Sequence, residues 1–280
     1  AADGAIVDAL ASWDSAARFR QPAGSTDALP GPWAQAWPVD GSVTRLSAST
    51  YRVAARAVDI EDTSLTAWSA GVLYVDLPRF ASPAALIAHG DIRVDGSLAV
   101  LPADSASAAV CDAPPGWSGG ILAAPGYAVP AGATVDPRAA DDSTYAVFGG
   151  VTRADLASRA DLALAGGSVV SAPVGNVTHA AGDLELTGGN GSGLLLVDGA
   201  LRLSGSVVFR GVVVVAGGVT VANGTLSLAG QMRSAGGAAA VAVNTPAAME
   251  LRFDPCVIRD VEWHAGRVKL ADFGSPPPRF

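Results

Sequence analysis

Lysine is nearly missing from this chain: Lys269 is the only one in 280 residues, and every other basic residue is an arginine. Acidic residues outnumber basic ones, 26 to 18, for a formal net charge of −8, and no stretch gathers the arginines into a cluster. That balance leaves no electrostatic footprint for nucleic acid or for an anionic membrane surface. Long apolar runs are also missing. The richest stretches, Leu194 to Val197 and Val212 to Ala216, end at or near a glycine and fall far short of the roughly 18 residues that cross a bilayer. Cysteine is confined to Cys111 and Cys256, 145 residues apart, which excludes a zinc cluster and a CxxC redox pair. In an exported protein the two would pair; in a reducing compartment they would be two unrelated thiols.

Catalytic signatures are absent as well. No GxSxG, HExxH, phosphate-loop or EF-hand spacing occurs. "GGNGSG" (188–193) has the composition of a phosphate-cradling loop, but strand-forming residues follow it where a helix N-terminus would be needed. The acidic groups Asp59/Glu61/Asp62 and Asp141/Asp142 lack the alternating oxygen pattern of a calcium loop and read as solvated turns. The histidines, His89, His179 and His264, are scattered. Trp33, Trp37, Trp68 and Trp117 could line a sugar-binding groove, though such residues more often pack loops onto a core. The sequence therefore predicts no catalytic residue, no cofactor and no metal.

What the chain has in abundance is glycine, 33 residues, beside a hydrophobic fraction of 50% and a charged fraction of only 16%, a balance that favours a β-rich, turn-rich protein over a helical bundle. The glycines keep time. Residues 194–217 divide into LLLVDG, ALRLSG, SVVFRG and VVVVAG, ending at Gly199, Gly205, Gly211 and Gly217. Gly182 and Gly188 lie six apart before this run, Gly224 and Gly230 six apart after it, and Gly90 and Gly96 start the pattern much earlier. A strand of about four residues plus a two-residue turn makes one side of a coil, and stacked sides form a parallel β-helix. Glycine belongs at the corners, where the backbone needs positive φ or leaves no room for a Cβ. Roughly eight hexads in two blocks predict two or three coils if three sides close each one.

Around that stack the chain divides into four parts. Residues 1–20 read as the end of a helix, with Ile6, Leu10 and Trp13 on one apolar stripe. Residues 21–85 read as a proline-rich loop and a strand meander, with Glu61, Asp62 and Thr63 near a turn. Residues 86–263 form the β-helix, interrupted by an unpaired loop at 102–137 and a helix at 150–162 that Thr152 caps with Asp155 three residues on. Residues 264–280 read as a flexible, proline-rich tail. The expected fold is mainly β: a short parallel β-helix, a meander and an N-terminal amphipathic helix.

"SGLLLVDGALRLSGSVVFRGVVVVAGGVTVANGTLSLAGQM" (192–232) resembles the C-terminal β-repeat of PilX-type minor pilins of the type IV pilus of Gram-negative bacteria. "AHGDIRVDG" (88–96), "FGGVTRADLASRADL" (148–162) and "MELRFDPC" (249–256) extend the resemblance, and "AADGAIVDAL" is similar to the end of a pilin helix. The resemblance implies an exported, membrane-associated structural subunit in the periplasm or at the cell surface, with a membrane helix and prepilin cleavage site upstream of Ala1. Neither feature is among these 280 residues. Its partners would be protein subunits of a membrane-anchored assembly, either pilins or another membrane complex that uses the chain as a periplasmic scaffold. Export would make Cys111–Cys256 a disulfide, and Ile6, Leu10 and Trp13 the contact with a membrane helix or a neighbouring subunit. A carbohydrate-binding or enzymatic β-helix is the remaining alternative.

Overall fold

The computed structural model describes the chain except for residues 1, 12, 14–17, 19, 30–38, 48, 60, 81, 104–110, 112–118, 142 and 271–280. It divides into two units, residues 1–77 with 266–280, and residues 78–265.

The first unit pairs a helix with an antiparallel sheet. Helix α1 (Ala2–Ala11) packs on strands β2 (Val39–Arg45), β3 (Thr50–Val58) and β4 (Thr66–Asp76). The short β1 (Thr26–Ala28) flanks β2, and the strand Arg267–Leu270 adds to the free edge of β4. Burial alternates along β3, with Tyr51, Val53, Ala55 and Ala57 inside, as a sheet covered on one face requires. The strand Arg267–Leu270 corrects the expectation of a free tail from 264 onward. Its register sets Val268 against Val75, and Lys269 reaches Asp76 at 2.7 Å.

The second unit is a β-solenoid of about five turns. Its chain begins with β5 (Ala84–Val94), β6 (Ser97–Leu101), β7 (Gly120–Ala123) and β8 (Thr134–Val135). A 3-10 turn (Pro137–Ala140), helix α2 (Ser143–Ala146), the hairpin β9 (Val147–Phe148) and β10 (Val151–Thr152), and helix α3 (Arg153–Ala157) follow. The coils then wind through β11 (Leu162–Ala165), β12 (Ser168–Val170), β13 (Val174–Ala181) and β14 (Leu184–Leu186). They continue through β15 (Gly189–Val197), β16 (Leu201–Leu203), β17 (Val207–Val215), β18 (Val219–Val221), β19 (Thr225–Val243) and β20 (Ala248–Phe253), and end in helix α4 (Pro255–His264).

Sequence order is not stacking order. One ladder runs β11-β13-β15-β17-β19 and continues from β19 to β5, β7 and β8. The chain thus lays down one end of the stack first, passes to the other end through α2 and α3, and winds back until β19 pairs with β5. Five turns exceed the two or three expected because the end coils do not carry the full set of glycines. The segment 102–137 is likewise no unpaired loop: β7 and β8 extend the ladder beyond β5. "GGNGSG" lies in the entry to β15, where Gly191 pairs with Phe209 and leaves space for its ring.

The three sides of a coil can be read from the registers. Gly193, Gly211 and Gly230 stack in one column, three hexads apart at the first step. None of Gly199, Gly205, Gly211 and Gly217 has positive φ, so lack of room is what requires glycine there. A Cβ on Gly211 would sit on the carbonyl oxygen of Gly193, and one on Gly217 would lie 2.7 Å from that of Gly199. Gly211 also lies inside β17, at a bend in a continuous ladder, where the sequence suggests a corner between strands.

Side chains on one side do not alternate between buried and exposed. Leu194 to Val197 and Val212 to Val215 are buried at every position, because α4 packs over β13, β15, β17 and β19. A strand covered on both faces becomes a continuous apolar run. Helix α4 begins at Asp254, whose side chain accepts the backbone N–H of Cys256 and Val257 at 3.0 and 3.1 Å, with Pro255 in the first turn. The helix expected over 150–162 is only α3. Its Thr152–Asp155 capping box is present, but the Asp161 side chain accepts the N–H groups of Asn176 and Val177, and the chain enters β11 at Leu162.

Gly211→Ala tests this packing. The added methyl must displace a neighbouring backbone, so the variant is expected to lose about 3 kcal/mol in denaturant unfolding. A loss below about 1 kcal/mol would contradict the close approach.

Candidate interaction surfaces

The apolar stripe of the N-terminal helix turns inward at Ile6. Ile6 is fully buried, and the Trp13 ring meets Tyr51 edge-on with centroids 5.1 Å apart. The Leu10 side chain lies outside the described residues. The Tyr51 hydroxyl donates to the Arg18 carbonyl at 2.8 Å, and burial pushes its pKa up to about 12 against the pull of Arg45 and Arg18. Ile6 is therefore an internal packing residue, which corrects its assignment as an external contact, while Trp13 is half-buried against Tyr51. An amphipathic helix beside an open sheet buries its apolar face there first.

Cys111 and Cys256 form a disulfide, with Cα atoms 5.2 Å apart. It ties the segment between β6 and β7 to the first turn of α4, and Arg259 adds a hydrogen bond to the Cys111 carbonyl at 3.0 Å. Two regions far apart in sequence are thus fastened within the solenoid unit.

The histidines stay separate. His179 on β13 lies 2.7 Å from the Asp198 carboxylate, whose other oxygen accepts from Arg153 Nε at 3.0 Å. Partial burial opposes ionisation of Asp198, but the bonds from His179 and Arg153 prevail and hold its carboxyl below the usual range. His89 meets Tyr127 edge-on, and His264 Nδ1 lies 2.9 Å from the Asp260 carbonyl. The acidic turn at 59–64 closes on itself: Asp59 accepts from the N–H groups of Glu61 and Asp62, and Asp62 from Ser64. Among the described residues, no group of three or more His, Cys, Asp or Glu could hold a metal ion, and no helix is long and apolar enough to cross a membrane. Trp68 is exposed beneath the Arg56 guanidinium; Trp33, Trp37 and Trp117 lie outside the described residues.

No family model, curated protein or solved structure matches the chain.

One surface escaped the sequence reading. Strands β11 and β12 end the stack, and among the described residues each pairs on one side only, with β13 and β14. Val169 and Val174 are exposed by 61% and 72%, and Leu162 is also exposed. A parallel edge with exposed aliphatic side chains can add a further strand or invite unwanted association. The available signal was the loss of strict hexads before Gly182, which marks where stacking stops.

The disulfide gives a direct stability test. Closing a loop of 145 residues is worth about 4 to 5 kcal/mol in the chain-entropy model. Replacing both cysteines by serine should lower the thermal midpoint of the solenoid unit by roughly 10 °C. An unchanged midpoint would contradict the staple.

Proposed function

We propose that this chain is a non-catalytic, exported structural subunit, pilin-like in character, that offers protein-interaction surfaces in a membrane-anchored assembly in the periplasm or at the cell surface. The observation that carries this reading is the edge of the first coil, where Leu162, Val169 and Val174 are exposed beside unpaired strands while the other end of the ladder is extended by β7 and β8. Two features support it. The disulfide fits an oxidising compartment. The ion pairs around Asp198 and Glu262 fasten elements of the fold to one another: Glu262 on α4 accepts the Phe80 N–H at 2.7 Å and lies 3.4 Å from Arg79.

The partner would add a strand to β11 or cover Val169 and Val174. Val169→Asp with Val174→Asp, both at exposed positions, is expected to leave the thermal midpoint within about 2 °C. The same double variant should lose the subunits that co-purify with the native chain from membranes. Pilins among those subunits would favour the pilus reading, and an unrelated membrane complex the scaffold reading. An unchanged set of co-purifying subunits would contradict a role for the first coil.

A further inference from the structure

Arg233 interrupts a run of aliphatic residues along its column of the solenoid. The registers align Leu196 with Val214, Val214 with Arg233, and Arg233 with Ile87, in one column on the side of the coil whose strands are buried on both faces. The side chain is only 4% exposed. Its Nε donates to Gln231 Oε1 at 2.8 Å, its Nη1 donates to the Thr144 carbonyl at 2.7 Å, and its guanidinium lies over the rings of Phe80 and Phe148 at 5.4 and 5.5 Å. Gln231 is fixed in turn, donating to the Ala84 carbonyl at 2.8 Å.

Two of the five N–H donors of a guanidinium are thereby used. Nη2 has no protein partner among the described residues, and no described carboxylate forms an ion pair with Arg233. Glu262, the nearby buried acid, is engaged by the Phe80 N–H and by Arg79. Burial pulls the Arg233 pKa down to about 10, against the opposing pull of Tyr145 and Glu262. Glu262 acts on the charge only from a distance, without a direct ion pair, and burying a charge that lacks a directly bonded counterion is costly.

Arg233 lines a cleft of about 500 Å³, the size of a small-ligand site. Arg79 and Arg138 line it as well, while Ile87, Leu122 and Pro83 give it apolar walls. The acid on its lining, Asp136, is engaged at its Oδ1 by the Arg138 N–H at 2.9 Å, with the Arg138 Nε 3.6 Å away. A net positive, partly apolar recess in a chain of charge −8 is a local exception that needs its own cause.

We propose that this cleft binds a carboxylate, held by the free edge of the Arg233 guanidinium, with Arg79 and Arg138 attracting it. The planar fork of Arg233 suits a carboxylate, and the apolar walls suit a short hydrocarbon body behind it. The carboxylate could belong to a free small acid or to an acidic side chain of a bound polypeptide.

The test is titration calorimetry on the whole chain at fixed ionic strength, with succinate, an acetylated tetraglutamate peptide and inorganic phosphate as probes. Succinate is expected to bind, and Arg233→Met, which continues the aliphatic run of Leu196, Val214 and Ile87, to weaken it by about tenfold or more. Arg138→Gln, at an exposed position, should weaken it by about threefold and keeps the test decisive should Arg233→Met fail to fold. A peptide that binds tenfold more tightly than succinate would place the carboxylate on a polypeptide, and equal affinities would favour a free acid. No saturable succinate or peptide binding, binding unaffected by either substitution, or a preference for phosphate would overturn the proposal.

Discussion

Neighbouring strands in a sheet lie about 4.8 Å apart, and at each bend of a coil the backbone must keep that spacing while it turns. There the carbonyl of one coil comes so close to the next that a Cβ has no place. Gly193, Gly211 and Gly230 meet this condition in one column, and Gly205 meets it against Thr187 in another. The rest of the solenoid depends on these contacts. With the bends fixed, the short strands between them fall into register, and their aliphatic side chains stack into a common core.

Register then decides which faces need a cover. Leu201, Leu203, Val219 and Val221 are buried while Arg202 and Thr220 are not, so this side needs a cover on its inner face alone. Leu194 to Val197 and Val212 to Val215 are buried throughout, and α4 supplies the second cover with Ile258 and Val261. Cys256 ties the start of that helix to Cys111, so the same element covers the sheet and fastens the segment after β6. Arg233 belongs to this doubly covered side, which is why its charge stands out there and would pass without notice on an outer strand face.

Much of this was legible in the residues. The six-residue glycine period announced a parallel stack, Thr152 and Asp155 announced the cap of α3, and the alternation through Tyr51, Val53, Ala55 and Ala57 announced a half-covered strand. Other features were hidden for physical reasons. Short apolar runs such as VVVV read alike whether one face or both are buried, so α4 was missed although Asp254, Pro255 and the Val257/Ile258/Val261 spacing were in view. Pairing of β19 with β5 joins segments well over 100 residues apart, and no local pattern encodes it. The stripe through Ile6 and Trp13 shows an apolar face but not what covers it. Arg233 is one arginine among many until the register sets it between Val214 and Ile87.

The pairing of β19 with β5 carries most of this account, since it makes residues 84–101 the neighbours of the last coil. Hydrogen exchange resolved by residue tests it directly. The amides of Leu86 to Ala88 and of Met232 to Ser234 should be protected to the same free energy of opening and should lose protection together as denaturant is added. Exchange of 84–94 at much lower free energy, with 225–243 still protected, would contradict the pairing and leave the stack to end at β19.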